Sequence, residues 1–210
     1  MRIVCISDTH ELYEGLSVPD GDLLIHAGDS SVAGSAEEII RLNNWLGTLP
    51  HAHKIIIAGN HDFLFETDPD LARSFVTNAH YLEDSAVEID GLSFWGSPIT
   101  PWYYDWAFNR RDAELRTAWS GIPSEIDVLI THGPPFGILD KTRAGEHVGC
   151  GHLLRELERV QPRLHVFGHI HESYGRMERD GTVFINASNL DHAYRLAHAP
   201  LVVDLEEFRR

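Results

Sequence analysis

The chain has 210 residues, 43% of them hydrophobic, which is enough for one globular domain spanning residues 1–210. Its 17 lysine and arginine residues against 32 aspartate and glutamate residues give a formal net charge of −15. This charge argues against a nucleic-acid polymer as partner. The two cysteines suggest no disulfide framework, no apolar run is long enough for a membrane span, and a strand pattern begins at the first residues. A cytoplasmic protein with no signal peptide and no membrane partner is therefore expected.

The first half of the chain alternates buried-strand patterns with helix signals. Continuous apolar runs at Ile3–Ile6, Leu23–Ala27 and Ile55–Ala58 are typical of strands in a parallel sheet. Between the second and third runs, Ser35 and Glu38 form a capping box that predicts a helix ending at Gly47. Another helix is predicted to begin at Asp68-Pro69.

The second half adds antiparallel strands. Asp90-Gly91 and Asp180-Gly181 each lie between apolar segments and predict β-hairpins. Further strands and helices are predicted at Val128–Thr131, Leu164–Phe167, Leu201–Leu205, Asp112–Trp119 and Gly151–Val160. Parallel strands, hairpins and helices together indicate an α/β protein, a four-layer α/β/β/α sandwich of two mixed β-sheets flanked by helices.

A potential metal ligand follows each of five apolar runs within two residues. These ligands are Asp8 with His10, Asp29, Asn60, His132, and His169 with His171. Open α/β sheets hold ligands at the carboxyl ends of their strands, so we expect these side chains to meet. Seven ligands exceed one tetrahedral site but suit two divalent transition-metal ions roughly 3.5–4 Å apart, with Asp29 as the bridge. Oxygen and imidazole ligands favour Mn²⁺ or Fe, with Zn²⁺ as a third choice.

His61 follows Asn60 in the same turn, and an imidazole there can ligate a metal or move a proton. The other nine of the 14 histidines, including His26 and His165, are interpreted as structural or surface residues.

The order of these blocks resembles a known family. The blocks are Asp8-x-His10, Gly28-Asp29, Gly59-Asn60-His61-Asp62, Thr131-His132-Gly133 and Gly168-His169-x-His171. Together they resemble the signature of the calcineurin-like metallophosphoesterase superfamily over nearly the whole chain. The resemblance implies the metallophosphoesterase fold with two metals and His61 as the unligated catalytic histidine. The implied ligand sets are Asp8, His10, Asp29 and His171 for one metal, and Asp29, Asn60, His132 and His169 for the other.

A narrower resemblance concerns the substrate. The stretches Gly96–Trp102, Thr131–Pro135, Gly168–Glu172 and Phe184–Ser188 are similar to the branch of metallophosphoesterase-domain-containing proteins, which are related to class III cyclic-nucleotide phosphodiesterases. Protein phosphatases of the superfamily carry a second aspartate three residues after Gly-Asp and then an arginine. Here Asp29 is followed by Ser30-Ser31-Val32-Ala33. The phosphate-gripping arginine and the aspartate that would orient His61 are both missing, which disfavours phosphoprotein dephosphorylation.

The expected activity is therefore metal-dependent hydrolysis of small phosphodiesters such as cyclic nucleotides. A hydroxide bridging the two metals would attack phosphorus, while His61 protonates the leaving group or stabilises the transition state. In the aromatic segment Trp102–Asn109, Trp106 and Asn109 are candidate substrate contacts, although these rings can also simply pack over the sheet. The alternatives are a phosphomonoesterase acting on nucleotide or sugar phosphates and a low-turnover nucleotide-binding scaffold. The expected partner is a small phosphoester or nucleotide, and the sequence carries no signal for an oligomeric state.

Overall fold

The computed structural model describes residues 1–205 and contains two large β-sheets. The strands of the first sheet are β1 (Arg2–Ile6), β2 (Leu23–Ala27), β3 (His53–Ile57), β4 (His80–Tyr81) and β13 (Leu201–Asp204). They are arranged in the order β13-β1-β2-β3-β4. The strands from β1 to β4 run parallel, and β13 pairs antiparallel with β1.

The second sheet combines a parallel centre with a hairpin at each edge. Its strands are β5 (Ser85–Ile89), β6 (Leu92–Ser97), β9 (Val128–Thr131), β10 (Leu164–Phe167), β11 (Gly175–Arg179) and β12 (Thr182–Asn186), in the order β11-β12-β10-β9-β6-β5. Both predicted hairpins are present, and the two residues of each turn have positive φ, as a type I′ turn requires. A separate short ladder joins β7 (Thr100–Pro101) and β8 (Asn109–Arg110).

The helices mostly match their sequence signals. They are α1 (Ala36–Thr48), α2 (Phe63–Thr67), α3 (Pro69–Phe75), α4 (Asp112–Ser120) and α5 (Gly151–Val160). The capping box at α1 is formed, because the Ser35 hydroxyl accepts a hydrogen bond from the Glu38 amide and the Glu38 carboxylate accepts one from the Ser35 amide. The predicted end at Gly47 is one residue early, and α2 has no counterpart among the predicted elements.

Successive side chains of each strand point to opposite faces of its sheet, and this alternation allows the sheets and helices to pack in four layers. On β1, Ile3 and Cys5 face the second sheet and form the core between the sheets. Val4 and Ile6 face the other way and pack against the apolar side of α1. On the far side of the second sheet, its outward residues pack against α4 and α5. The predicted α/β/β/α sandwich is confirmed. Within residues 1–205, no helix is long and apolar enough to cross a membrane.

The two sheets are joined at one edge by three residues that we call the sheet seam, Ser7, Ser188 and Asn189. Ser7, just after β1, forms an isolated parallel bridge with Ser188, just after β12. The Ser7 amide also donates to the Asn189 side chain at 3.2 Å, and the Asn189 amide donates to the Ser7 carbonyl at 2.9 Å. The seam brings the carboxyl ends of β1, β2 and β3 beside those of β9 and β10.

Candidate metal centre

All seven predicted metal ligands lie in one buried cluster at the joined edge of the two sheets. One group that could hold a metal consists of Asp8, His10 and His171, and another of Asp29, His132 and His169, with the ligand atoms of each group within 4.8 Å of one another. Asn60 joins the second group, since its Oδ1 lies 3.0 Å from His132 Nε2. The first sheet supplies Asp8, His10, Asp29 and Asn60, and the second supplies the other three. A third possible group contains His10, Asp29 and His61.

Backbone carbonyls orient three of the candidate ligand histidines. In each of them Nδ1 donates to a carbonyl oxygen, which leaves Nε2 facing the cluster. The pairs are His10 with Ser31 at 2.9 Å, His132 with Ala27 at 2.9 Å, and His171 with Asp191 at 3.1 Å. A neutral imidazole that donates through Nδ1 carries a lone pair on Nε2. Such outer hydrogen bonds fix the tautomer and ring orientation of metal-ligating histidines.

The donor set fits divalent cations because nitrogen and oxygen donors from several turns converge on one small volume. His132 Nε2 lies 3.0 Å from Asn60 Oδ1 and 3.3 Å from Asp29 Oδ2. His10 Nε2 is buried, lies 3.8 Å from Asp29 Oδ2 and has no hydrogen-bond partner among residues 1–205. A buried polar atom without a partner costs free energy that a bound cation would recover. Imidazole nitrogen together with carboxylate and amide oxygen suits a borderline transition metal.

The electrostatics of the cluster also favour positive charge among its carboxylates. Burial by itself would raise the pKa of Asp29, but the neighbouring His132 lowers that pKa well below its usual range, and His171 does the same for Asp8. Burial opposes protonation of His132 and His171, yet Asp29 and Asp8 raise their respective pKa values to about 9. The ionised carboxylates therefore attract a cation, which a metal ion supplies when bound.

Two glycines allow backbone amides to hold the carboxylates. A Cβ at Gly59 would lie 2.2 Å from Asp29 Oδ1, and one at Gly168 would lie 2.0 Å from Asp8 Oδ2, so a larger residue would clash at either position. The His61 amide donates to Asp29 Oδ1 at 2.8 Å, and the His169 amide donates to Asp8 Oδ2 at 3.0 Å. In Asp29 this leaves Oδ2, the oxygen nearest to both His10 and His132, directed toward the cluster.

Asp62 connects the two turns that carry Asp29 and Asn60. Its carboxylate is fully buried and accepts hydrogen bonds from the Gly59 amide at 2.7 Å and from the amides of Ser30 and Ser31 at 3.3 and 3.0 Å. The hydroxyls of both serines also donate to it. Burial and the nearby Asp29 charge raise the pKa of Asp62, which these hydrogen bonds counteract. Asp62 is thus a positioning residue for the turn containing Asp29 and Ser30-Ser31.

His61 lies beside the cluster and is oriented by a backbone carbonyl. Its Nδ1 donates to the Val32 carbonyl at 2.9 Å, and its ring lies edge-on to His10 with the centroids 4.6 Å apart. The aspartate that orients this histidine in the protein phosphatases is absent from the sequence, and the Val32 carbonyl provides the hydrogen bond instead. This interaction could not be predicted from the sequence. Every residue has a backbone carbonyl, so no residue type marks the one that accepts from His61.

A cavity of about 170 Å³ opens onto the cluster, and the aromatic segment forms one wall. The cavity is lined by Asp29, Asn60, His61, Tyr103, Trp106, Asn109, His169, His171 and Tyr194. The Trp106 ring packs on His61 with the centroids 4.3 Å apart and remains 36% exposed. The Asn109 amide donates to Thr100 and to the Ala107 carbonyl and accepts from the Tyr103 amide, so these bonds hold the loop together. Substrate contacts by Trp106 and Asn109 remain predictions.

Two residues of the site were not found from the sequence. Tyr194 is 52% exposed in a left-handed conformation (φ 57°), and its ring lies 5.0 Å from that of His10 and 5.3 Å from that of His171. It belongs to an irregular turn without periodicity, which gives no sequence signal. The Ser188 hydroxyl donates to Asp8 Oδ2 at 2.7 Å. Ser188 lies in the stretch Phe184–Ser188 that carries part of the resemblance, and that similarity was the only available indication.

Comparison with known proteins agrees with this geometry. The family model described as calcineurin-like phosphoesterase matches residues 1–173. Metallophosphoesterase domain-containing protein 1 of Homo sapiens is 43% identical over 230 residues, covering 97% of this chain and 71% of that protein. A UPF0046 protein of Caenorhabditis elegans is 38% identical, covering 96% of this chain and 74% of that protein.

Among solved structures, TT1561 of Thermus thermophilus has a similar fold, with a TM-score of 0.63 at 12% identity over 97% of this chain and 98% of that one. The family carries a dinuclear centre of divalent metals, which the two ligand groups fit. The chain therefore belongs to the calcineurin-like phosphoesterase family and is a metal-dependent phosphoester hydrolase.

Proposed function

We propose that this phosphoester hydrolase is a phosphodiesterase that acts on small phosphodiesters such as cyclic nucleotides. The observation that carries the proposal is the lining of the 170 Å³ cavity, which within residues 1–205 contains no lysine or arginine and has aromatic side chains in its wall. A phosphomonoester dianion calls for cationic groups beyond the metals, whereas a diester carries a single charge and a second organic group that an aromatic wall can contact. The stretch Ser30–Val32 supports the same conclusion. Its backbone groups bind the side chains of Asp62, His10 and His61 and are therefore not available to a phosphate dianion.

The metal ligands are proposed as the sequence suggested, with Asp29 shared between two sites. Asp8, His10 and His171 complete one site, and Asn60, His132 and His169 complete the other. Mn²⁺ or Fe is proposed for both sites, with Zn²⁺ as the third choice. Bound metals supply Lewis acidity and lower the pKa of a bound water toward neutrality. The protein fixes the directions of the lone pairs through the carbonyls of Ala27, Ser31 and Asp191.

His61 is proposed as the proton donor to the leaving oxygen. Its Nδ1 proton is committed to the Val32 carbonyl, so the proton available for transfer is the one on Nε2. The Trp106 ring covers one side of the imidazole and restricts its rotation. A positioned acid of this kind contributes roughly 10²–10⁴-fold to the rate. The chain needs no nucleophilic serine or cysteine, so we expect no covalent intermediate.

A panel of esters tests the proposal. The metal-loaded protein is assayed with bis-p-nitrophenyl phosphate, a cyclic nucleotide, p-nitrophenyl phosphate and a nucleoside monophosphate, each with Mn²⁺, Fe²⁺ and Zn²⁺. We expect the higher kcat/KM for the diester of each pair at equal metal loading. A preference for monoesters with all three metals would refute the proposal and favour a phosphomonoesterase. Tight nucleotide binding with negligible turnover would favour a scaffold.

A further inference from the structure

A second depression adjoins the metal cavity, and we call it the Trp102 groove. The side chains that define it are Trp102, Tyr103, Pro134, Thr142, Glu146 and Val148. Its volume is about 570 Å³, and it shares Tyr103 and His169 with the metal cavity. The groove lies between the aromatic segment and the loop that precedes α5. A molecule with its phosphate at the metals can therefore extend directly into the groove.

The sizes of the two spaces indicate that substrate uses both. Pockets that bind small molecules commonly measure roughly 300–1,000 Å³, and the metal cavity at about 170 Å³ falls below that range. A cavity of this volume suits a phosphate group better than an entire nucleotide. The Trp102 groove at about 570 Å³ lies within the range. The larger organic part of the substrate therefore has its natural place in the groove.

The lining of the groove suits an uncharged ring system that carries hydroxyl groups. Trp102 is 46% exposed and is held in place by Arg111, whose guanidinium carbon lies 4.5 Å from the indole centroid. Val148 is 41% exposed and, with Pro134, adds apolar surface. Nucleobases stack on exposed aromatic rings of this kind in proteins that bind single-stranded nucleic acids, and every base has a face that can do so.

The polar groups of the groove select against a second anion. Among the described residues that line it, Glu146 is the only one with a carboxylate, and none is a lysine or arginine. A carboxylate repels phosphate and accepts hydrogen bonds from the hydroxyls of a ribose.

We propose that the Trp102 groove is the nucleoside subsite of the enzyme, with the phosphate of the same substrate in the metal cavity. This inference rests on the proposed phosphodiesterase function and specifies the substrate as a nucleoside phosphodiester. It also assigns the base-stacking role to Trp102 rather than to Trp106, since the Trp106 ring packs against His61 and Phe63.

Two diesters with the same leaving group test the assignment. One is the p-nitrophenyl ester of adenosine 5′-phosphate, and the other is p-nitrophenyl methyl phosphate, which has no nucleoside. Val148→Trp places an indole in the groove and should lower kcat/KM for the adenosine ester roughly tenfold or more, mainly through KM, as expected from the loss of one stacked base. The same variant should change kcat/KM for the methyl ester less than twofold. The matched control is Leu71→Trp on α3, because Leu71 is 42% exposed and lies outside both spaces.

A second variant tests the ribose contact. Glu146→Ala should remove the preference for the adenosine ester over its 2′,3′-dideoxy analogue. If Val148→Trp lowers kcat/KM equally for both diesters, or if Leu71→Trp has the same selective effect, the nucleoside subsite is elsewhere. If neither diester is hydrolysed at full metal loading, the proposed function fails. The groove is then tested by fluorescence titration with adenosine, which should bind the wild type but not Val148→Trp. Equal binding to both proteins would overturn the inference.

Discussion

Replacing Asp62 by asparagine removes one charge and one acceptor from the junction that positions Asp29 and Asn60. The carboxylate accepts from three backbone amides and two hydroxyls, with the amides of Gly59 and Ser30 on Oδ2 and that of Ser31 on Oδ1. An asparagine has only one acceptor oxygen. When the asparagine amino group takes the place of Oδ1, the two serine hydroxyls can rotate to accept from it. The Ser31 amide is a donor, cannot do so, and loses its acceptor. The reverse orientation leaves two backbone amides unpaired.

The favourable orientation therefore leaves one buried N–H without a partner, which costs about 1–3 kcal/mol. The remaining hydrogen bonds also change from charge-assisted to neutral and become weaker. Relief of the repulsion between Asp62 and Asp29, which contributes to the raised pKa of Asp62, offsets part of this loss. We expect Asp62→Asn to lower the free energy of unfolding by about 2 kcal/mol, a shift of roughly 4–8 °C in Tm for a chain of this size.

Urea denaturation of chelator-treated protein measures this loss without a contribution from bound metal. Asp180→Asn is the matched control, because the Asp180 side chain is 85% exposed and its replacement should change stability by less than ~0.5 kcal/mol. A variant at Asp62 that is as stable as this control would show that the hydrogen bonds across the junction do not stabilise the fold. A stable variant that retains both metals through dialysis would also refute the positioning role.

Three further predictions concern the metal centre and the candidate acid. Asp29→Asn should reduce metal content well below two ions per chain and impair turnover, because the proposed assignment gives Asp29 to both sites; elemental analysis showing two ions with full activity would contradict the shared role. His61→Ala should lower kcat roughly 10²–10⁴-fold with two metals retained, and less for substrates with good leaving groups; loss of metal would instead make His61 a ligand. Trp106→Ala should lower kcat to a similar extent for diesters with and without a nucleoside, since the ring packs on His61; a selective loss with nucleoside substrates would return the stacking role to Trp106.

The sequence predicts this fold well where local signals and long-range packing agree. Continuous apolar runs are buried on both faces, and Asp90-Gly91 adopts the positive φ that its turn requires. The sequence does not predict the helix α2 because Phe63–Thr67 has only five residues and directly follows the turn of His61, so it is too short to show helical periodicity. The sequence predicts the end of α1 one residue too early because glycine commonly ends a helix. In the structure Gly47 lies inside the helix, which continues to Thr48.

For the site, the sequence supplied the identity of the side chains and the structure supplied what orients them. Asp29 and His132 were recognisable because each follows a strand end, and strand ends meet at one edge. The carbonyl of Val32, the turn presenting Tyr194 and the Trp102 groove depend on the path of irregular backbone. Irregular backbone has no periodic pattern to read, and its contacts join residues distant in sequence.

The sheet seam has a consequence for the order of events during synthesis. His171 is the last of the seven candidate ligands along the chain, yet Asp8 receives its hydroxyl donor from Ser188, and β1 gains a partner strand from β13 at Leu201–Asp204. A chain still emerging from the ribosome therefore carries every candidate ligand before it carries Ser188 and β13, although β2 is already available to pair with β1. Contacts between residues so far apart form slowly. We therefore expect the hydrogen bond from Ser188 to Asp8 to form late in folding, after nearly the whole chain has been synthesised.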